Sequence, residues 1–175
     1  MTKTEIQDRL TENHEAFIEY LDSLTEEAFL FSYADKWTAG QQLKHIYLSV
    51  KPLAQGLILP AFLLKPIFGR ANRPSKSYDQ LVEQYYTKLA AGGRASSPYV
   101  PEPVHFDQKE QLFKSLTRLV GKLNHRLGKY SEAQLDQLIL PHPLLGKVTL
   151  REMLFFTICH VGHHQKSIED ALKRG

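Results

Sequence analysis

The chain has 175 residues, of which 42% are hydrophobic, so it is long enough to bury the core of one domain without covalent cross-links. The formal net charge is +3, and the lysines and arginines form no continuous run, so we expect no nucleic-acid partner. The single cysteine, Cys159, excludes an intrachain disulfide. We therefore predict one domain, residues 1–175, in the reducing cytoplasm.

The first predicted element is an amphipathic helix over about residues 3–25. Apolar residues recur there at steps of three, four and seven, with charged residues between them. The N-terminal sequence "MTKTEIQDRL" lacks the apolar run of a signal peptide. His14 falls on the inner face of this helix, where it is a candidate for lining a pocket or donating to a substrate, beside the alternative of an ordinary partly buried histidine.

A second helix is predicted to begin at Thr38. Thr38 and Gln41 have the spacing of a capping box, and "QQLKHIYLSV" continues with apolar residues at helical spacing. His45 then lies in the second turn of this helix. From helical geometry alone, His45 is equally a metal ligand or a hydrogen-bonded core histidine.

The segment from Pro52 to about Asp107 is predicted to be a long crossover that contains one short helix, "YDQLVEQYYTKLA". Its most apolar part, "LAQGLILPAFLLKPIFG", is too short to span a bilayer and is interrupted by Pro60, Lys65 and Pro66, so we expect no membrane partner. The apolar residues there are predicted to form a wall of the substrate pocket and part of a homodimer interface.

Two further long helices complete the predicted fold. One covers "QKEQLFKSLTRLVGKLNHRLGKY", and the last begins after a second capping box, Thr149 with Glu152. The segment "LILPHPLLGKV" between them is predicted to be rich in turns, and no strand is expected. Four long amphipathic helices with one extended crossover indicate an all-α fold, a four-helix bundle.

The last helix carries an unusual concentration of histidines. His160 and His164 continue a row at steps of four that is otherwise large and apolar: Phe156, His160, His164, Ile168 and Leu172. Two buried imidazoles one turn apart are difficult to satisfy with each other alone, and a shared metal ion would satisfy both. We interpret His160 and His164 as ligands and His163, which precedes polar residues at helical steps, as a flanking residue.

Two stretches resemble the DinB/YfiT-like superfamily of metalloenzymes. "KWTAGQQLKHI" is similar to its second-helix motif, and "HPLLGKVTLREMLFFTICHVGHHQKSI" is similar to its last-helix motif. The resemblance covers essentially the whole chain and implies an up-down-down-up order of the four helices, with the long crossover between the second and third. It also implies a metal held by His45, His160 and His164. One departure is the Gln165-Lys166 step, where many relatives have Gly-Gln or Ala-Gln.

Three neutral imidazoles would leave one coordination position of a divalent ion open, as in catalytic zinc sites. Water at that position would have its pKa lowered towards about 7, and a thiol would ionise. Zinc is the expected metal, with nickel, iron or copper as alternatives. The expected function is a metal-dependent transferase that uses a low-molecular-weight thiol, or a hydrolase; the alternative is a metal-binding or ligand-binding protein without turnover. Besides the ligands, His14, Gln41 and His163 are candidates for the pocket.

Other metal and hydrolase classes are excluded by spacing. A di-iron carboxylate bundle needs Glu-x-x-His on two helices, and the one such spacing, Glu102 to His105, lies in a proline-rich loop. No His-Glu-x-x-His string occurs, which excludes that class of zinc protease. A serine elbow between a strand and a helix is not expected in an all-α chain.

Overall fold

Eight α-helices and one short β-hairpin form the described part of the chain, residues 1–34 and 36–174, in a computed structural model. Asp35 and Gly175, which belong to the predicted domain, lie outside the described residues. The helices are α1 (Lys3–Asp22), α2 (Glu26–Leu30), α3 (Ala39–Gly56), α4 (Ala61–Phe68), α5 (Tyr78–Ala90), α6 (Lys109–Leu127), α7 (Glu132–Gln137) and α8 (Leu150–Leu172). The strands are β1 (Ile139–His142) and β2 (Gly146–Thr149).

The two predicted capping boxes are confirmed as the starts of α3 and α8. The Thr38 side chain accepts from the backbone N–H of Gln41, whose side chain accepts from the backbone N–H of Thr38. Thr149 and Glu152 make the same pair of hydrogen bonds at the start of α8. These bonds satisfy N–H groups that have no partner within the helix, so local sequence determines where both site-bearing helices begin.

The four long helices α1, α3, α6 and α8 pack together around one core of buried aliphatic and aromatic side chains. The predicted bundle of four long helices is therefore confirmed, in a chain that is mostly helical. Arg151, at the start of α8, donates to the carbonyl oxygen of Met1, which precedes α1. Between the other two long helices, Arg126 near the end of α6 donates to the carbonyl oxygen of Ala54 near the end of α3.

The prediction of an all-α chain without strands is wrong between Leu138 and Leu150. There β1 and β2 pair in an antiparallel hairpin, with Leu140 opposite Val148 and His142 opposite Gly146. Leu140 and Val148 are buried, and Gly146 has a φ of +75°, a left-handed conformation that glycine adopts without steric cost. Four-residue strands are too short to show a clear alternation of apolar and polar residues, which explains the error.

Pro52 does not end the second long helix, contrary to the sequence analysis. Helix α3 continues through it to Gly56, although proline has no N–H to donate to the preceding turn. The chain then turns at Pro60 into α4. No single helix among the described residues is long and apolar enough to cross a membrane; α3 and α4 reach that length and composition only as a pair, and the pair is bent by 110° at the break.

A buried carboxylate attaches the crossover to the start of α8. Glu152, fully buried, accepts two hydrogen bonds from the Arg73 guanidinium, at 2.5 and 2.8 Å, and one from the Lys76 backbone N–H at 2.7 Å. Burial opposes ionisation of this carboxyl group, but the hydrogen bonds from Arg73 and the backbone hold its pKa below the ordinary glutamate value. The crossover is therefore fixed against the helix that carries His160 and His164.

Candidate metal centre

Three buried histidines from two helices meet between α3 and α8. The Nε2 atom of His160 lies 3.2 Å from Nε2 of His45 and 3.0 Å from Nε2 of His164. The ligand atoms of all three residues lie within 4.8 Å of one another. The structure thus brings together the three residues that the sequence analysis interpreted as ligands.

Two of the imidazoles are oriented by hydrogen bonds at their other ring nitrogen. His45 Nδ1 lies 2.6 Å from the carbonyl oxygen of Tyr99, and His164 Nδ1 lies 2.9 Å from Oε1 of Gln42. A carbonyl oxygen can only accept, so each Nδ1 carries the proton and each neutral ring presents an Nε2 lone pair. The side-chain amide of Gln42 is itself oriented, because its Nε2 donates to the Trp37 carbonyl oxygen at 3.2 Å.

The three facing Nε2 atoms cannot all be satisfied by hydrogen bonds to one another. Two lone pairs, from His45 and His164, point towards His160 Nε2, which can carry only one proton. A cation shared by the three nitrogens satisfies all of them. Three nitrogens bound to a tetrahedral zinc ion at about 2.05 Å are about 3.3 Å apart, close to the two observed distances. The donor set, its tautomers and its spacing therefore fit a divalent metal ion.

The surroundings favour the neutral imidazoles that metal binding requires. Burial, together with repulsion from the positively charged forms of neighbouring histidines, holds the pKa of His160 and of His164 well below the ordinary histidine value. Burial also lowers the pKa of His45. All three are at most 7% exposed. The three imidazoles are therefore neutral at pH 7, so a cation does not have to displace protons in order to bind.

The three histidines line one wall of a cavity of about 1000 Å³. Its walls are mostly aliphatic and aromatic, and among the described residues that line it there is no aspartate or glutamate. The lining includes the exposed residues Arg94 and Ser96, so the cavity reaches the surface. A cavity of this size accommodates a drug-sized molecule with a predominantly apolar body.

Two further histidines line this cavity with opposite hydrogen-bonding capacity. His14 Nδ1 donates to the Leu10 carbonyl oxygen at 2.7 Å, which leaves a buried Nε2 acceptor without a partner. His142 Nδ1 accepts from the backbone N–H groups of Leu144 and Leu145, so its Nε2 carries the proton and can donate. Burial lowers the pKa of each to about 4, so both rings are neutral at pH 7.

The other predicted pocket residues occupy different positions. His163 also lines the cavity, half-buried, with its ring against the rings of Tyr85 and Tyr86. Gln41 is used in the capping box, and its neighbour Gln42 makes the contact with His164. Sequence reasoning missed Gln42, although its position three residues before His45 places both on the same face of α3.

His142 and Cys159 also differ in what they contribute. His142 was expected in a turn, and the hairpin that brings it to the cavity was not predicted. Cys159 does not line the cavity, and burial raises the pKa of its thiol to about 12. This thiol is therefore protonated and unreactive at neutral pH.

A predominantly helical bundle with three converging histidines at the wall of an apolar cavity defines a class of candidate metalloproteins. The DinB superfamily model matches residues 9–168, which is most of the chain. The chain belongs to the DinB superfamily, as the two resembling motifs predicted.

The fold is also similar to that of YfiT from Bacillus subtilis, described as "a probable metal-dependent hydrolase with an unusual four-helix bundle topology". The two chains share 18% sequence identity at a TM-score of 0.63, and the match covers 98% of this chain and 86% of YfiT. At this identity the similarity concerns the fold. A search of curated proteins found no match.

Proposed function

We propose that this protein is a metal-dependent enzyme in which His45, His160 and His164 hold one divalent ion, zinc in the first instance, with nickel or iron as alternatives. The observation that carries the proposal is the convergence of three Nε2 atoms, two of them with tautomers fixed by the Tyr99 carbonyl and Gln42. The description of YfiT as "a probable metal-dependent hydrolase" supports the same class.

The proposed reaction is the transfer of a low-molecular-weight thiol to an electrophile, or the hydrolysis of one. A divalent ion bound here supplies Lewis-acid chemistry, lowering the pKa of a coordinated thiol or water. In the transfer, the sulfur forms a bond to the electrophilic carbon, the leaving group departs with its bonding electron pair, and the thiol proton passes to solvent or a buffer base.

The chain's own residues orient the substrate in this proposal. The apolar walls bind its body and exclude water, which strengthens every polar contact inside the cavity. The N–H of His142 donates to an acceptor on the substrate, and Nε2 of His14 accepts from a donor. Because burial keeps both rings neutral at pH 7, each positions the substrate through a hydrogen bond and brings no charge to it.

We also propose that the four long helices have the up-down-down-up order that the resemblance implies. The contact of Arg151 with Met1 supports a parallel α1 and α8, and that of Arg126 with Ala54 supports a parallel α3 and α6. Between α3 and α8, Gln42 meets His164 whereas His45 meets His160, as expected of antiparallel helices.

The test has two parts. First, purified protein is stripped with a chelator and titrated with zinc, nickel and iron; one ion per chain is expected, and His45→Ala should abolish that binding. Failure of the unsubstituted protein to bind any of them refutes the metal centre. Second, the loaded protein is assayed with an electrophile and a panel of thiols, with water alone as the hydrolytic control.

One observation favours the alternative of a metal-binding or ligand-binding protein without turnover. No carboxylate lines the cavity among the described residues, and the burial that raises the pKa of Tyr85 makes it a poor base. If the protein binds metal and an apolar ligand tightly but gives no turnover with any thiol or with water, the binding function is the correct one.

A further inference from the structure

Charge is distributed very unevenly along this sequence. Residues 36–78 and 111–131 together carry twelve of the 22 lysines and arginines and none of the 19 aspartates and glutamates. Arg73 and Lys76 pair with Glu152, and the other ten form no ion pair with a described residue. The first segment contains α3 and α4, the second contains most of α6, and α3 packs against α6. A small overall net charge therefore conceals one strongly basic side of the molecule.

Exposed apolar side chains lie at the end of this basic side. Ile58 is 62% exposed, Phe62 71% and Ile67 59%, and Leu59 and Leu63 are also exposed. We call these five residues the α4 patch. Its helix is held to the bundle by the buried Leu64, while the neighbouring side chains face water. Isolated exposed apolar residues are common, but five within ten residues mark an interaction surface.

Cations flank the α4 patch along the chain. Lys51 precedes it, Lys65 lies within α4, and Arg70 follows it; all three are exposed and form no ion pair with a described residue. The chain just after α6 adds the exposed Lys129, because the hydroxyl of its neighbour Tyr130 donates to the carbonyl oxygen of Leu59 in the patch. The patch is thus an apolar centre with a positive border.

We propose that the α4 patch and the cations around it dock the protein on an anionic lipid bilayer, with α4 lying in the membrane interface. Apolar side chains next to lysine and arginine are what such a surface requires, since the former enter the acyl boundary and the latter contact anionic headgroups. This differs from the expectation of no membrane partner, which depended on spanning length. A helix that lies on a bilayer does not need that length.

Charge complementarity favours a bilayer over other partners. In an isologous homodimer formed through this patch, the same positive border of both copies would lie at one interface, so that like charges would repel one another. A nucleic acid would match the charge but would leave Phe62 and Ile67 in water. An anionic bilayer satisfies both the cations and the apolar side chains.

The α4 patch lies next to the wall of the large cavity. Leu57 and Phe68 line the large cavity, and they are the immediate neighbours of the exposed Ile58 and Ile67. The apolar wall of the cavity therefore continues into the docking surface, so that an apolar ligand dissolved in the bilayer reaches the cavity without crossing water. The docking itself does not depend on whether the histidine site is catalytic.

The test is vesicle co-sedimentation of the full chain. We expect binding to vesicles of equal parts phosphatidylglycerol and phosphatidylcholine, little binding to phosphatidylcholine alone, and strong weakening by salt. Phe62→Ser with Ile67→Ser should weaken binding at least tenfold because it removes apolar contact. Lys65→Glu with Arg70→Glu should weaken it at least twentyfold, since each nearby cation contributes about fivefold.

Matched controls separate docking from general effects. Leu30→Ser removes a side chain that is 41% exposed on α2, beside two glutamates, and Lys88→Glu reverses an exposed charge on α5; both should bind as the unsubstituted chain does. Circular dichroism and thermal unfolding verify that each variant is folded.

Three outcomes overturn the proposal. The first is that the protein binds neutral and anionic vesicles equally well, or binds neither kind. The second is binding that the Phe62→Ser, Ile67→Ser variant retains in full, which would show charge attraction without docking by α4. The third is a dimer, detected by light scattering in the absence of lipid, that this same variant dissociates; the patch would then be the homodimer interface.

Discussion

Replacing Gln42 with alanine tests whether the partner of His164 Nδ1 controls metal affinity. Gln42 is 3% exposed and its Oε1 lies 2.9 Å from that nitrogen, so the substitution leaves a buried N–H without its acceptor. An unsatisfied buried donor costs about 1–3 kcal/mol. The substitution also removes the contact that keeps the proton on Nδ1, so the Nε2 lone pair is no longer enforced.

Both effects predict weaker metal binding. Loss of such a partner typically reduces metal affinity about 10–100-fold, equivalent to about 1.4–2.7 kcal/mol, which agrees with the cost of the lost hydrogen bond. The assay is competition for zinc against a chelator of known affinity at pH 7, with circular dichroism to verify folding.

Gln41→Ala is the matched control, because it changes the adjacent glutamine in the same helical turn. Gln41 Oε1 accepts from the backbone N–H of Thr38 at 3.1 Å and makes no hydrogen bond to the histidines. Its loss should lower the free energy of unfolding by about 0.5–1 kcal/mol and leave zinc affinity within about threefold. Equal losses of affinity in the two variants would refute the role assigned to Gln42.

The remaining predictions concern the ligands, a buried carboxylate and pH. His164→Ala should remove most of the bound metal and His163→Ala little, measured by elemental analysis; equal losses would show that the wrong face of α8 was chosen. Glu152→Gln should lower the free energy of unfolding by about 3 kcal/mol at pH 7, whereas Glu132→Gln, at a half-exposed pair, should cost less than about 1 kcal/mol in the same denaturant titrations. Because the pKa of Glu152 is lowered in the folded state, its stabilisation is present above the ordinary carboxyl pKa and is lost as pH falls below about 4. The unfolding free energies of the unsubstituted protein and of Glu152→Gln should therefore converge there. The pKa values of His160 and His164 are also lowered, so below about pH 6.5 the unfolded chain binds more protons than the folded one. The metal-free protein should therefore lose stability as pH falls below about 6.5, and the metal should dissociate near pH 6 or lower. Stability and metal content that do not change between pH 7 and pH 5 would contradict this.

The features that the sequence predicted correctly depend on local signals. Capping boxes fixed the starts of α3 and α8, because their hydrogen bonds join residues three apart. The inward direction of His160 and His164 followed from the helical repeat and the apolar residues in the same row. His45 was open on geometry alone, and the family resemblance, which the superfamily match confirms, selected it.

The features that the sequence did not predict depend on contacts between distant residues or on the backbone. The hairpin that carries His142 forms only when two four-residue strands meet, and neither strand has a strong pattern by itself. The partner of His45 is a backbone carbonyl oxygen, at Tyr99, and every residue has such a group, so no side chain marks it. Gln42 was not predicted, because the capping-box spacing identifies a role only for Gln41.

The crossover between α3 and α6 is best understood as a functional part of the site. Its residue Tyr99 orients His45, its helix α5 places Tyr85 against His160, and Arg73 ties it to Glu152 at the start of α8. Since α3 and α6 are proposed to be parallel, their connection must run back along the bundle, which about nine extended residues could do, yet this one spans 52 residues, from Leu57 to Gln108. The additional chain lines the cavity, with Phe68, Tyr85 and Leu89 among the residues it contributes, and it supplies the carbonyl that fixes a ligand's tautomer. Shortening the crossover should therefore misorient the histidines while the four-helix bundle still folds.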